Sequence, residues 1–295
     1  MVTAAIDRAA IHGVCDSRLQ GVRDAFAENF AQGGEVGATV AVTVDGKLVV
    51  DLWAGHADAA RTRPWTRDTI VDVASSTKGL TTICAHRLVD AGLLDLEAPV
   101  ARYWPEFAQA GKATIPVHFL LSHRAGLPAI DEPLPTEALY DWNRMTGALA
   151  AQKPWWEPGT RHGYHIFTFG YLVGEVVRRI TGKSLGTYFR EEVAEPLGLD
   201  CHIGLAAEHD DRVAEFIAVP PPQPGSRTSW QPSSSRRDRW SRRRTSTRPG
   251  PSPTGTRAPG GLRRSPRGMR IRRRAPWLAC TARSPAAGRS MAFAS

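Results

Sequence analysis

The stretch GATVAVTVDGKLVVDLWAG, residues 37–55, decides the fold class. Two runs of alternating apolar and β-branched residues flank Asp45-Gly46, and an Asp-Gly pair between such runs is the strongest short-range signal for a β-hairpin. Two strands alone do not make a stable sheet, so this hairpin requires further strands from elsewhere in the chain. The stretch therefore predicts an antiparallel sheet.

Helical patterns lie on both sides of the hairpin. The segment 15–33 carries apolar side chains at helical intervals and ends at a Gly pair, and the segment 69–96 changes from strand-like alternation to a helical pattern. Further helices are predicted over 167–181 and 184–199, the last closed by Pro196 and Gly198. The apolar positions of the first two helices are Leu19, Val22, Phe26 and Phe30, then Leu80, Ile83, Cys84, Leu88 and Leu93.

The stretch VASSTKGL, residues 73–80, stands at the start of the second of these helices. Ser75 and Lys78 are three positions apart, so a helix places both side chains on one face. A serine hydroxyl becomes a good nucleophile only when a nearby base takes its proton, and a first-turn position adds backbone amides for an oxyanion. The spacing alone is weak, since about one chance match is expected in a chain of this length. A helix cap followed by a surface lysine is the alternative.

A rival nucleophile occurs in GKSLG, residues 182–186, which fits the G-x-S-x-G pattern around Ser184. That motif requires a buried strand before the serine and a helix after it. The preceding segment has a helical pattern instead. We therefore interpret Gly182 as the C-cap of one helix and Ser184 as the N-cap of the next.

Tyr164 follows a Pro-Gly turn and precedes a predicted helix. Such a loop can present a phenol to a neighbouring site. Taken by itself, a tyrosine in this position is more often a packing residue.

Six segments together resemble the serine β-lactamase-like hydrolases, a family of class C β-lactamases, penicillin-binding proteins and related esterases. In order over residues 35–220 they are VDVASSTKGLT, DLEAPVARYWPEF, LLSHRAGLP, WEPGTRHGYH, GYLVGEVVRRITGKSL and EEVAEPLGL. The resemblance implies an α+β fold, with a helical domain beside an antiparallel sheet flanked by helices. It also implies Ser75 as acyl-forming nucleophile, Lys78 as its proton partner and Tyr164 as the general base that protonates the leaving group.

The chain departs from the family pattern in two places. Two positions after the tyrosine the family commonly has Asn or Ser, whereas here Ile166 follows His165; the loss of the amide-binding Asn favours an ester-cleaving branch. We expect His165 to be a solvated loop histidine, with a polar contact to substrate as the alternative. The family also has a late Lys-x-Gly or His-x-Gly strand that lines the site, and no segment after Val219 matches it.

Charge divides the chain at Val219. Residues 219–295 hold 18 Arg and one acidic residue and carry +17, whereas residues 1–218 carry −8. We predict an incomplete hydrolase domain over 1–218 and a disordered basic tail over 219–295, because the tail is rich in Pro, Ser and Arg and poor in aliphatic residues. Its composition fits out-of-frame translation, so C-terminal sheet strands are expected to be missing and turnover low. A non-catalytic remnant whose tail binds nucleic acid is the alternative.

No cofactor or metal is implied, and the four cysteines contain no Cys-x-x-Cys pair. The expected partner is a small-molecule ester or amide substrate, with nucleic acid and membrane not expected. The first twenty residues contain no continuous apolar segment of a signal peptide, so a cytoplasmic location is expected.

Overall fold

The computed structural model describes residues 10–32 and 34–217. The basic segment from Val219 lies outside these residues, so its disorder and its frame stay predictions. The helices and strands, in chain order, are β1 (His12–Cys15), α1 (Gln20–Ala31), β2 (Gly37–Val44), β3 (Lys47–Gly55), α2 (Thr77–Asp90), α3 (Val117–Leu121), α4 (Trp142–Ala151), α5 (Thr168–Thr181), α6 (Leu185–Phe189) and α7 (Glu195–Leu197).

The chain divides into two compact units. Among the described residues, the first unit comprises 10–77 and 186–217, and the second comprises 78–185. The first contains the sheet, and most of the helices belong to the second. The predicted α+β class, with helices and an antiparallel sheet, is confirmed.

The predicted hairpin is formed by β2 and β3, which pair antiparallel with Val40 opposite Leu52. Asp45 and Gly46 have φ of +50° and +74°, the left-handed conformation that a two-residue type I′ turn requires. The additional strand comes from the N-terminal side, since β1 pairs antiparallel with the other edge of β3. The sheet order is therefore β1-β3-β2.

Helix α1 covers this sheet with its aromatic side chains. Phe26 and Phe30 are buried together with three apolar residues of β3, namely Val50, Leu52 and Ala54. The helix is shorter than the predicted 15–33, because Cys15 belongs to β1 and the residues Ser17–Leu19 form a 3-10 turn. The predicted apolar face is nevertheless the one that packs on the sheet.

The predicted helix over 184–199 is divided into three parts. α6 is followed by a π-helical turn, Arg190–Ala194, and then by α7. Pro196 lies within α7, and Gly198 ends it in the left-handed conformation at φ +61°. The predicted end of the helix is thus confirmed.

In the second unit, α2 buries Leu80, Cys84 and Leu88 as predicted. Leu93 was expected on the same face, and this prediction is wrong: α2 ends at Asp90, Gly92 turns the chain at φ +69°, and Leu93 is 55% exposed. Helix α5 is the most buried of the helices, with an apolar face made of Phe169, Leu172, Val173, Val176 and Val177.

Two charged side chains are also buried in this unit. Lys112 donates from Nζ to the carbonyl oxygens of Gln109 and Ala150 at 2.9 Å each, and also to that of Gln152. Glu175 of α5 accepts from Trp142 Nε1 at 2.7 Å and from the guanidinium groups of Arg178 and Arg179. Each buried charge therefore has hydrogen-bond partners, as burial of an ionised group requires.

Candidate active site

Ser75 lies in a 3-10 turn, Ala74–Ser76, that leads directly into α2. Its side chain is exposed. The preceding residue, Ala74, has φ +44°, and its amide donates to Asp72 Oδ1 at 2.8 Å. A non-glycine residue in this conformation is uncommon. The turn thus presents Ser75 to solvent from a strained segment.

The amides just after Ser75 do not provide the expected first-turn oxyanion donors. The amide of Ser76 donates to Val73 O at 3.0 Å, and that of Thr77 to Ala74 O. Ser75 is in the 3-10 turn that precedes α2, so these amides close local turns. That expectation is wrong for these two amides.

Lys78 is the second residue of α2, one helical turn after Ser75. Its Nζ donates to the carbonyl oxygen of Ile166 at 2.9 Å and lies 4.8 Å from the ring centroid of Tyr164. The ring of Phe169 is 5.8 Å away. The structure therefore brings together Lys78 and Tyr164, two of the three residues predicted for the site.

Tyr164 lies in the loop before α5, as predicted, but it is half-buried rather than fully exposed. Its ring centroid is 4.9 Å from that of His123. The ring of Tyr164 therefore lies close to both an ammonium group and an imidazole.

His165 is fully buried, so the expectation of a solvated loop histidine is wrong. Its Nε2 accepts from the amide of Leu127 at 3.1 Å, and its Nδ1 donates to Gly163 O at 2.5 Å. The alternative, a polar contact to substrate, is not favoured because both ring nitrogens are occupied by backbone groups. Burial lowers the pKa of His165 to about 4, so the ring is neutral at pH 7.

His123 belongs to the segment LLSHRAGLP, and no role was expected for it from the sequence. It has φ +60°, and its Nδ1 accepts from the amide of His165 at 3.2 Å. Burial, then the neighbouring His162 and Lys78, lower its pKa to about 4. The available signal was its place just before a Gly turn in one of the six family-like segments.

Ile166 and Phe167 present apolar surface next to Tyr164. Ile166 is 42% exposed and Phe167 is 50% exposed. Because the Ile166 carbonyl accepts from Lys78 Nζ, its backbone position is tied to the lysine. The position that holds a polar amide in much of the family is thus an exposed aliphatic side chain.

The rival motif around Ser184 lacks the architecture of a nucleophile elbow. The preceding segment is α5, whose C-cap Gly182 has φ +71°, and α6 begins just after Ser184. Gly186 is required by packing, because a Cβ there would lie 2.0 Å from Ile203 O. The fold therefore explains why glycine stands at both positions, and the predicted cap at Gly182 is confirmed.

The described residues, 10–32 and 34–217, show neither a metal cluster nor a membrane-spanning helix. Within them, no group of three or more His, Cys, Asp or Glu side chains has the arrangement of a metal site. Within the same ranges, no helix is long and apolar enough to cross a membrane.

Comparison with known proteins places the chain in a family. The family model described as Beta-lactamase matches residues 22–271, a range that runs past Val219. The chain is 43% identical over 209 residues to the esterase/beta-lactamase LipL of Mycobacterium tuberculosis, covering 70% of this chain and 48% of LipL. It thus spans about half the length of that relative.

Two solved structures are similar to the described fold. A family VIII carboxylesterase has 50% sequence identity and a TM-score of 0.68, covering 70% of this chain and 57% of that one. A penicillin-binding protein homolog from Caulobacter crescentus has 44% identity and a TM-score of 0.67, covering 70% and 56%. With a family match over most of its length and relatives of this identity, the chain belongs to the β-lactamase family.

Proposed function

We propose that this protein is an esterase-type serine hydrolase that acts through an acyl-enzyme on Ser75. The observation that carries the proposal is the position of Lys78 Nζ, 4.8 Å from the Tyr164 ring and bonded to the loop that follows it. Lys78 is one helical turn after Ser75, so the backbone keeps a serine and its proton partner close.

Ser75, Lys78 and Tyr164 have different roles in the proposed reaction. Tyr164 takes the proton of Ser75 as Oγ attacks the ester carbonyl carbon, and the Lys78 ammonium stabilises the negative charge on the phenol oxygen. The tetrahedral intermediate then expels the alcohol, which receives the proton from Tyr164. Tyr164 then takes a proton from water as the water oxygen attacks the acyl carbon; the bond to Ser75 Oγ breaks, Oγ receives that proton from Tyr164, and the carboxylic acid leaves.

The loop after Tyr164 supports esters with an apolar acyl group as substrates. Ile166 exposes an aliphatic side chain beside Lys78. An aliphatic side chain gains free energy by covering apolar substrate surface, and it offers no hydrogen bond to an amide. The relatives described as an esterase/beta-lactamase and a carboxylesterase agree with ester cleavage.

The proposal is tested by labelling the protein with a fluorophosphonate, which bonds irreversibly to activated serines. Labelling needs one reaction per molecule, so it detects the nucleophile even where turnover is low. We expect one adduct, located on Ser75 by peptide mass spectrometry, and none in Ser75→Ala. Ser184→Ala is the matched control and should label at the unmodified rate. Tyr164→Phe should slow labelling by roughly 10²- to 10⁴-fold, as loss of a general base does.

An unlabelled protein, or an adduct that maps to Ser184, would contradict the proposal. In a separate assay, release of p-nitrophenol from a p-nitrophenyl ester by the unlabelled protein would extend the proposal to ester substrates. Comparing acetyl with hexanoyl esters then tests the acyl group, because Ile166→Ser should reduce the preference for the longer chain.

A further inference from the structure

The residues 163–165, with Tyr164 at their centre, make three hydrogen bonds to the segment 123–127. We propose that His123 is a positioning residue, which holds Tyr164 beside Lys78 by accepting a hydrogen bond from the amide that follows the tyrosine. The inference rests on the proposed role of Tyr164 as general base.

His123 binds the backbone on both sides of Tyr164. Its carbonyl oxygen accepts from the amide of Gly163 at 3.1 Å, and its Nδ1 accepts from the amide of His165 at 3.2 Å. The His123 and Tyr164 rings are 4.9 Å apart between centroids. The tyrosine is therefore fixed before, after and beside its ring by a single residue.

The bond to His165 requires one protonation state of His123. An amide donates only to an unprotonated ring nitrogen, so Nδ1 carries the lone pair and Nε2 carries the proton. The ring is half-buried with Lys78, Tyr164, His162 and His165 around it. A second positive charge beside Lys78 is unfavourable, which keeps His123 in the accepting form.

His165 also attaches the Tyr164 loop to the segment 123–127. It ties Gly163 O to the amide of Leu127 through its two ring nitrogens, and Thr168 Oγ1 donates to Leu127 O at 2.6 Å. The loop is thus bonded both to its neighbours and to the preceding segment. The His123 ring bond adds an attachment directly after Tyr164.

His123 occupies a left-handed backbone position. A left-handed φ of +60° is free of strain for glycine and uncommon for other residues, although asparagine, aspartate and histidine adopt it more often than the rest. Histidine occupies the position at a conformational cost.

The same backbone preference provides a matched pair of variants. Both His123→Gly and His123→Asn suit the left-handed conformation, but only asparagine offers an acceptor, Oδ1, near the position of Nδ1. We expect His123→Gly to speed hydrogen exchange of the His165 amide at least tenfold, measured by residue-resolved NMR, and His123→Asn to restore protection. The Gly163 amide, which binds the retained backbone carbonyl, is the internal control and should exchange at the unmodified rate in both.

Fluorophosphonate labelling of the same variants tests the consequence for Tyr164. A displacement of about 1 Å typically costs about 100-fold in rate. We expect His123→Gly to label Ser75 at a rate lower by 10- to 100-fold and His123→Asn to label within a few-fold of the unmodified protein. His86→Asn, on the exposed side of α2, should change neither measurement.

The two measurements separate this inference from the proposed function. Equal exchange of the His165 amide in the glycine and asparagine variants would overturn the positioning role, and so would equal labelling rates. If the unmodified protein takes no label, the proposed function fails, while the exchange measurement still decides whether His123 holds the loop.

Discussion

At Ala74 the backbone turns through φ +44° one residue before Ser75. Two hydrogen bonds hold this conformation. The Ala74 amide donates to Asp72 Oδ1, and the Ser76 amide donates to Val73 O. A left-handed residue with a Cβ costs roughly 1–2 kcal/mol, which the surrounding contacts must offset. Strain of this kind is concentrated at functional sites.

Ala74→Gly removes the Cβ and with it this conformational cost. We expect the free energy of unfolding to rise by about 1 kcal/mol, less the entropy that glycine adds to the unfolded chain. Urea unfolding measures it. Ala27→Gly, the same change inside α1, should lower stability by about 1 kcal/mol. Destabilisation of similar size at both positions would show that the turn at Ala74 stores no strain.

At the scale of single residues, the candidate catalytic residues could be predicted from the sequence, but the histidines that surround them could not. Ser75, Lys78 and Tyr164 were recognisable because local spacing and six ordered segments identify them, although their catalytic roles stay predictions. His123 was not recognisable, since its bond to His165 joins residues 42 positions apart. His165 was misjudged for the same reason: a loop position predicts exposure, and only the folded chain shows both ring nitrogens bonded to backbone.

Among the elements, α5 combines an apolar face with the buried carboxylate of Glu175. Burial raises the pKa of Glu175, but hydrogen bonds from Arg178, Arg179 and Trp142 more than offset this, so the pKa is below its ordinary value. The carboxylate links α5 to Trp142 at the start of α4. One ionised group thus accepts a hydrogen bond that joins these two helices.

Glu175→Gln keeps the shape of the side chain and removes its charge. We expect a loss of about 2 kcal/mol in the free energy of unfolding, because hydrogen bonds to a charged acceptor are replaced by weaker ones. Glu106→Gln is the matched control: it removes another carboxylate bonded to Arg179, but its side chain is 54% exposed. There the loss should stay below about 0.5 kcal/mol in the same urea titration. Similar losses at both positions would contradict a special role for the buried carboxylate.

Element boundaries followed from the sequence where the pattern was long. The predicted 167–181 corresponds to α5 within one residue, and the hairpin turn occurs at the predicted Asp45-Gly46. Strand β1 was missed because it has four residues and contains Gly13 at φ +98°. Its pairing with β3 is decided by residues about 40 positions away, which a local pattern does not contain.

For the whole molecule, two neutral histidines link stability to pH. The pKa of His123 and that of His165 are both lowered from 6.5 to about 4, chiefly by burial. Between these values the unfolded chain binds more protons than the folded one. Stability therefore falls as the pH falls from about 6.5 to about 4.

His165 alone should contribute a loss of about 3 kcal/mol across that range, at 1.36 kcal/mol per pKa unit. Urea unfolding at pH 7 and at pH 4.5 measures most of it. His165→Gln should give a smaller difference between the two pH values, whereas His86→Gln should leave the difference unchanged. A difference unaffected by His165→Gln would mean that other groups cause the acid sensitivity.

The basic segment is where the sequence-based predictions extend furthest beyond the described structure. The family match ends at residue 271, inside this segment, while the described residues end at 217. The out-of-frame origin of 219–295 and its nucleic-acid alternative therefore stay predictions, and no contact among residues 10–217 favours the alternative. Reading the coding DNA in all three frames decides whether residues 219–295 are translated out of frame.

The arrangement of the sheet also bears on the order of events during synthesis. β1, α1, β2 and β3 all lie within residues 12–55, and the aromatic side chains of α1 find their apolar partners in β3 of the same stretch. Such local contacts form fast, because little chain entropy is lost in closing the loops between them. All four elements are therefore synthesised before Ser75, and the sheet and its covering helix form among themselves without waiting for the turn that carries this serine.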